Sequence, residues 1–170
     1  SQDRSLEAFL TARVPRRTSK NATEVAALRL VLGLPLALAG EVADGDAVRA
    51  AEEARAAWGS WPTAAAVASV VGVTRPRVAQ ILDAAGKRWI RSQEVREAAT
   101  ELAEVLEAEQ GVATVDEVAA TLLLRHGSTA DGADRMRRAR GLVRVILETD
   151  GHRAQPELVL RQQSNGPALI

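Results

Sequence analysis

The stretch from Thr63 to Trp89 constrains the fold more than any other part of the chain. Thr63 and Thr74 can each cap a helix through the side-chain hydroxyl, and apolar residues recur at three- and four-residue spacing after both. Gly72 lies between these stretches, where a tight turn needs a positive φ. The pattern predicts two helices joined by a short turn, a helix-turn-helix. The predicted helices run from Thr63 to Val71 and from Thr74 to about Ile90.

Polar side chains cover the other face of the second predicted helix. Arg75, Arg77 and Gln80 lie in its first two turns, which in a helix-turn-helix enter the major groove of DNA. There Arg pairs with guanine and Gln with adenine. We therefore predict double-stranded DNA as the partner, although a solvated face of a structural three-helix unit would carry the same residues. The candidate DNA contacts are Thr74, Arg75, Arg77, Gln80, Lys87, Arg88, Arg16 and Arg17.

The remaining chain is predicted to be all-α, in two small helical units over residues 1–91 and 92–170. Helical spacing and capping residues place further helices at Ser1–Leu10, after Asn21 or Thr23, at Asp46–Trp58, Ser92–Glu109, Thr114–Arg125 and Asp131–Thr149. Leu158 and Leu160 then alternate with polar residues before Asn165-Gly166, which favours a short C-terminal hairpin. The second unit would thus have the helix order of a winged helix.

Charge is segregated along the chain although the formal net charge is zero. The segment Arg13–Lys20 is basic and is predicted to form an N-terminal arm that contacts phosphates. Residues 75–91 hold five basic residues against one Asp, and residues 94–109 hold six Glu against one Arg. The arginines of Arg135–Arg144 would either line a phosphate backbone or form a solvated helix face, with neither favoured. The neutral total supports an alternative function as a protein-protein interaction module, because DNA-binding domains usually carry a basic excess.

Several kinds of function lack their sequence signals. The chain has no Cys, and its two histidines have no acidic residue at metal-ligand spacing, so we predict no metal and no cofactor. No Gly-rich phosphate loop, kinase catalytic loop or nucleophile elbow is found, so we predict that this chain is not an enzyme. Without a long apolar run or a signal pattern, we expect no membrane association and a bacterial cytoplasmic location.

The run Gly72-Val-Thr-Arg-Pro-Arg-Val-Ala-Gln-Ile81, with Ala85, Lys87, Arg88 and Trp89 after it, resembles region four of bacterial sigma factors. This resemblance implies base or phosphate contacts for Arg75, Arg77 and Gln80. Pro76 departs from the pattern, and no region-two sequence is present, so a complete sigma factor is not expected.

A wider stretch resembles the accessory region of PglW-type serine/threonine kinases of phage-growth-limitation, or type 2 BREX, phage defence. The resemblance runs from Pro15-Arg16-Arg17-Thr18-Ser19-Lys20 through the helix-turn-helix to Gly111-Val112-Ala113-Thr114. It implies a non-catalytic nucleic-acid-binding or docking part of a larger protein, with other defence-system proteins as further partners. The first residue, Ser1, fits a fragment of such a protein.

Overall fold

The computed structural model describes residues 5–36, 52, 53, 55, 61–160, 169 and 170, and these residues confirm the all-α fold class. The helices of the described residues are α1 (Leu6–Ala12), α2 (Ala22–Val31), α3 (Ala64–Val71), α4 (Arg75–Trp89), α5 (Gln93–Ala108), α6 (Val115–His126) and α7 (Ala133–Asp150). Of the helix predicted at Asp46–Trp58, Glu52, Glu53 and Arg55 are helical, and its other residues lie outside the described part.

The caps predicted from the sequence explain where most of these helices begin. The hydroxyls of Thr63, Thr74, Ser92 and Thr114 each accept a hydrogen bond from the backbone N–H three residues later. Such a bond satisfies one of the free N–H groups of the first helical turn and contributes about 1 kcal/mol. Asn21 occupies the cap position of α2, but its side chain does not cap the helix.

Two clusters of buried apolar side chains form the core, and α7 contributes to both. Leu142 and Ile146 of α7 pack with α5 and α6, whereas Val145 packs with α2, α3 and α4. Helix α1 is divided in the same way, since Leu6 lies in the first cluster and Leu10 in the second. Each cluster therefore contains side chains from residues 1–91 and from residues 92–170. The two predicted units share their core across the boundary predicted at residue 91.

The end of the chain returns to the start of α6. Thr114 and Leu169 form an isolated antiparallel bridge, and the Ile170 N–H donates to the Ala113 carbonyl over 2.9 Å. Leu158 packs against the first cluster, but Leu160 is exposed, so the two do not share a buried face. The predicted Asn165-Gly166 turn lies outside the described residues, and the hairpin stays a prediction.

None of the helices within the described ranges has both the length and the apolar character needed to cross a lipid bilayer.

Candidate nucleic-acid interface

Helices α3 and α4 form the helix-turn-helix that the sequence predicted. Gly72 ends α3 with a φ of 81° and a ψ of 36°, the left-handed conformation that glycine adopts without strain. Its N–H and that of Val73 both donate to the Ala68 carbonyl, over 2.9 and 3.0 Å. Val73 is half-buried against the second core cluster. The turn is therefore closed by local hydrogen bonds and fixed by one apolar side chain.

One face of α4 is buried because its apolar side chains recur at helical spacing. Val78, Ile81, Ala85 and Trp89 are at most 4% exposed, and they pack against α2, α3 and α7. At about 100° per residue these positions fall on a single side of the helix. Residues on the opposite side of α4, such as Gln80 and Lys87, are consequently exposed.

Arg75, Arg77 and Gln80 lie on the first two turns of α4, and all three are exposed. Within the described part of the chain, no residue forms a hydrogen bond or ion pair with their side chains. Their donors and acceptors are thus open to an external partner. Arg77 and Gln80 share the exposed face with Ala84, because these residues follow one another at intervals of three and four.

The basic residues near the C-terminal end of α4 have internal partners. Lys87 Nζ lies 3.1 Å from the Asp83 carboxylate, and Arg88 Nη1 lies 3.4 Å from Glu24 of α2. Both cations remain substantially exposed, so these ion pairs are weak and can be exchanged for others. Lys87 and Arg88 are therefore less available to an external partner than Arg75 and Arg77.

The N-terminal basic segment does not form a free arm. The Arg13 side chain is 9% exposed and donates to Glu94 of α5 over 2.6 Å and to the Ser92 hydroxyl over 2.5 Å. The Arg13 carbonyl accepts from Trp89 Nε1 at 3.0 Å. Arg13 thus belongs to the fold, contrary to the sequence prediction. Arg16 is exposed beyond it, and Arg17 is half-buried and has a partner.

The arginines of α7 are mostly engaged inside the protein. Arg138 binds Glu7 at 3.0 Å, Arg140 binds Asp116 at 2.8 Å, and Arg144 binds Glu148 at 2.8 Å while its guanidinium lies over the Trp61 ring. Arg137 binds Asp134. Four of the five arginines between Arg135 and Arg144 therefore have a carboxylate partner within the protein and need no phosphate to balance their charge.

Glu7 is the most perturbed carboxyl group among the described residues. Burial alone would raise its pKa, but hydrogen bonds from the Ser128 hydroxyl, nearby backbone N–H groups and Arg138 outweigh burial and lower the pKa to about 2. Ser128 and Ala130 lie in the loop between α6 and α7. Glu7 therefore ties α1 to this loop and to α7.

Sequence reasoning missed the contacts that histidines make. His126 is the last residue of α6, one residue beyond the predicted helix end at Arg125, and its Nε2 lies 3.0 Å from Glu101 of α5. His152 follows α7, and its Nε2 lies 3.4 Å from Asp83 on α4. Neither contact is marked by a spacing pattern, since each joins residues that are distant in the sequence. No group of three or more candidate metal-ligating side chains occurs in the part of the chain that the structure describes.

None of the protein-family models, curated proteins and solved structures compared with the chain matches it. The resemblances to sigma factor region four and to PglW-type kinases therefore stay predictions.

Proposed function

We propose that this chain is a non-catalytic, cytoplasmic DNA-binding module that places α4 in the major groove of double-stranded DNA. The observation that carries the proposal is the exposed N-terminal half of α4, where Arg75, Arg77 and Gln80 have no partner among the described residues. Arginine and glutamine in these turns match the hydrogen-bonding groups of guanine and adenine in the groove. The resemblance to accessory regions of PglW-type kinases supports the proposal that this DNA-binding module is part of a larger phage-defence protein.

The exposure of Arg75 and Arg77 favours an external anionic partner over a purely structural role. An exposed arginine without an ion pair adds little to the stability of its own fold. The same side chain contributes about 1–3 kcal/mol when it pairs with a base edge or a phosphate. Since α4 is held on its other face by buried side chains, the helix can present these groups without rearranging.

The test measures the affinity of the chain for random and for selected duplex DNA. Fluorescence anisotropy gives this affinity at low and at physiological salt. We expect Arg77→Ala to weaken binding by about 1–3 kcal/mol, and Arg75→Ala with Arg77→Ala to remove most of it. A matched control, Arg125→Ala with Arg135→Ala, removes two exposed cations from α6 and α7 and should leave binding nearly unchanged. Equal losses in both double variants would contradict docking through α4.

A second candidate function is a protein-protein interaction module of a defence-kinase or transcription complex. Leu124 on α6 favours it, because this large apolar side chain is 88% exposed, and Val112 before α6 is 59% exposed. Burial of apolar surface is the main favourable contribution to most protein-protein association. Absence of duplex binding at low salt would favour this function over DNA binding.

A further inference from the structure

The segment Arg16–Lys20 is an ordered loop, which we call the basic loop. The Asn21 side chain accepts a hydrogen bond from the Thr18 N–H over 2.6 Å and donates to the Arg16 carbonyl over 2.9 Å. The Thr18 hydroxyl accepts from the Lys20 N–H over 3.2 Å. Three hydrogen bonds thus fix the backbone of a loop of five residues, although Thr18, Ser19 and Lys20 are all exposed.

This use of Asn21 is unusual for its position. An asparagine at the start of a helix commonly caps it, but the Asn21 side chain makes no such bond to α2. Both polar atoms of the amide bond the basic loop instead. The side chain therefore orders the loop rather than the helix that follows it.

The basic loop lies beside the C-terminal end of α4. Trp89 Nε1 donates to the carbonyl of Arg13, three residues before the loop, and Arg88 pairs with Glu24, four residues after it. Arg16 and Lys20 of the loop and Arg91 after α4 are exposed, with no ion pair to any described residue. Both ends of the loop are thereby attached to the helix that carries the candidate base contacts.

We propose that the basic loop is a preformed contact for the DNA backbone phosphates, and that Asn21 is its positioning residue. This inference depends on the proposed DNA binding through α4. The N-terminal turns of a recognition helix reach base edges, so the elements at its other end lie nearer the sugar-phosphate backbone. Cations on an ordered loop lose less conformational freedom on binding phosphate than cations on a free arm.

A double-mutant cycle tests the role of Asn21 through duplex DNA affinity as a function of salt. Arg16→Ala with Lys20→Ala should reduce the slope of log affinity against log salt by about 2, one for each lost phosphate contact. Asn21→Ala should weaken binding about threefold to tenfold while every cation is kept. In the Arg16→Ala, Lys20→Ala background, Asn21→Ala should have no further effect, because its role acts through those cations.

The outcomes separate this inference from the proposed function. If the wild-type chain binds and Arg75→Ala with Arg77→Ala abolishes binding, but the loop variants bind like wild type, DNA docking stands and the phosphate role of the loop is wrong. An equal loss from Asn21→Ala in both backgrounds also overturns it, since Asn21 would then act on the fold alone. Wild-type chain that binds no duplex at low salt contradicts the proposed function itself.

Discussion

In α3–α4 the second helix exposes Arg75 and Arg77, which pair with no described residue, whereas in α6–α7 four of the five arginines of the second helix bind carboxylates of α1, of α6 or of α7 itself. Both helix pairs begin with a threonine cap, and both have a glycine after the first helix. Packing contributes to the difference, because α7 lies against α1 and α6, which carry Glu7 and Asp116. A basic helix in a helix-turn-helix order is therefore insufficient evidence for a DNA-reading surface.

The sharpest test of this comparison is to remove one arginine from each second helix. Arg138→Ala should lower the free energy of unfolding by about 2 kcal/mol, because it removes a charge-assisted hydrogen bond between two largely buried side chains. Arg77→Ala should change it by no more than about 0.5 kcal/mol, since Arg77 is exposed and has no partner. Urea unfolding at pH 7 measures the free energy of unfolding of both variants. Similar losses would contradict the difference between the arginines of α7 and those of α4.

The glycines of the two pairs should also respond differently. A Cβ at Gly141 of α7 would lie 2.1 Å from the Leu32 carbonyl oxygen, so Gly141→Ala should destabilise the protein by about 2–3 kcal/mol. At Gly72 a Cβ meets no atom within 4 Å, and Gly72→Ala should cost only the conformational strain of a positive φ, about 1 kcal/mol. Thermal unfolding of the two variants compares them, and a larger loss at Gly72 would contradict close packing of α7.

The Glu7 contacts predict acid sensitivity. Its pKa is lowered from 4.5 to about 2, so the ionised form stabilises the native state above pH 4.5, and this contribution is lost as pH falls from about 4.5 to 2. We expect the loss to be about 1–2 kcal/mol, after allowance for solvent screening. Denaturant unfolding of wild type and Glu7→Gln between pH 6 and pH 2 measures it. If both chains lose the same stability over this range, Glu7 is not the cause.

The smallest expected difference concerns the threonine caps. Thr114 accepts from Glu117 N–H at 3.0 Å, and its own N–H donates to the Glu117 carboxylate at 3.4 Å, whereas Thr63 makes only the first kind of bond. We expect Thr63→Ala to cost about 1 kcal/mol and Thr114→Ala slightly more. Helical circular dichroism during thermal unfolding measures both. Equal losses would show that the capping box adds nothing at Thr114.

The helix-turn-helix could be predicted from the sequence because its determinants are local. Thr63, Gly72 and Thr74 form hydrogen bonds with residues within four positions of themselves. The spacing of apolar residues in α4 predicts which face of the helix is buried. The roles of other charged residues could not be predicted, since their partners are distant in the chain. Arg13 meets Glu94 after 81 residues, and Arg138 meets Glu7 after 131. No periodic pattern identifies such pairs before the helices are packed.

Because α7 packs into both clusters, the folding of the two predicted units should be cooperative. Loss of α7 would expose to water the side chains of α2 and α4 that pack with Val145. The stability of the helix-turn-helix therefore depends on a residue more than fifty positions after it in the chain. A fragment ending near residue 91 would lack this support. Amide hydrogens of α4 and α7 should then exchange with solvent at similar rates, through a common global opening.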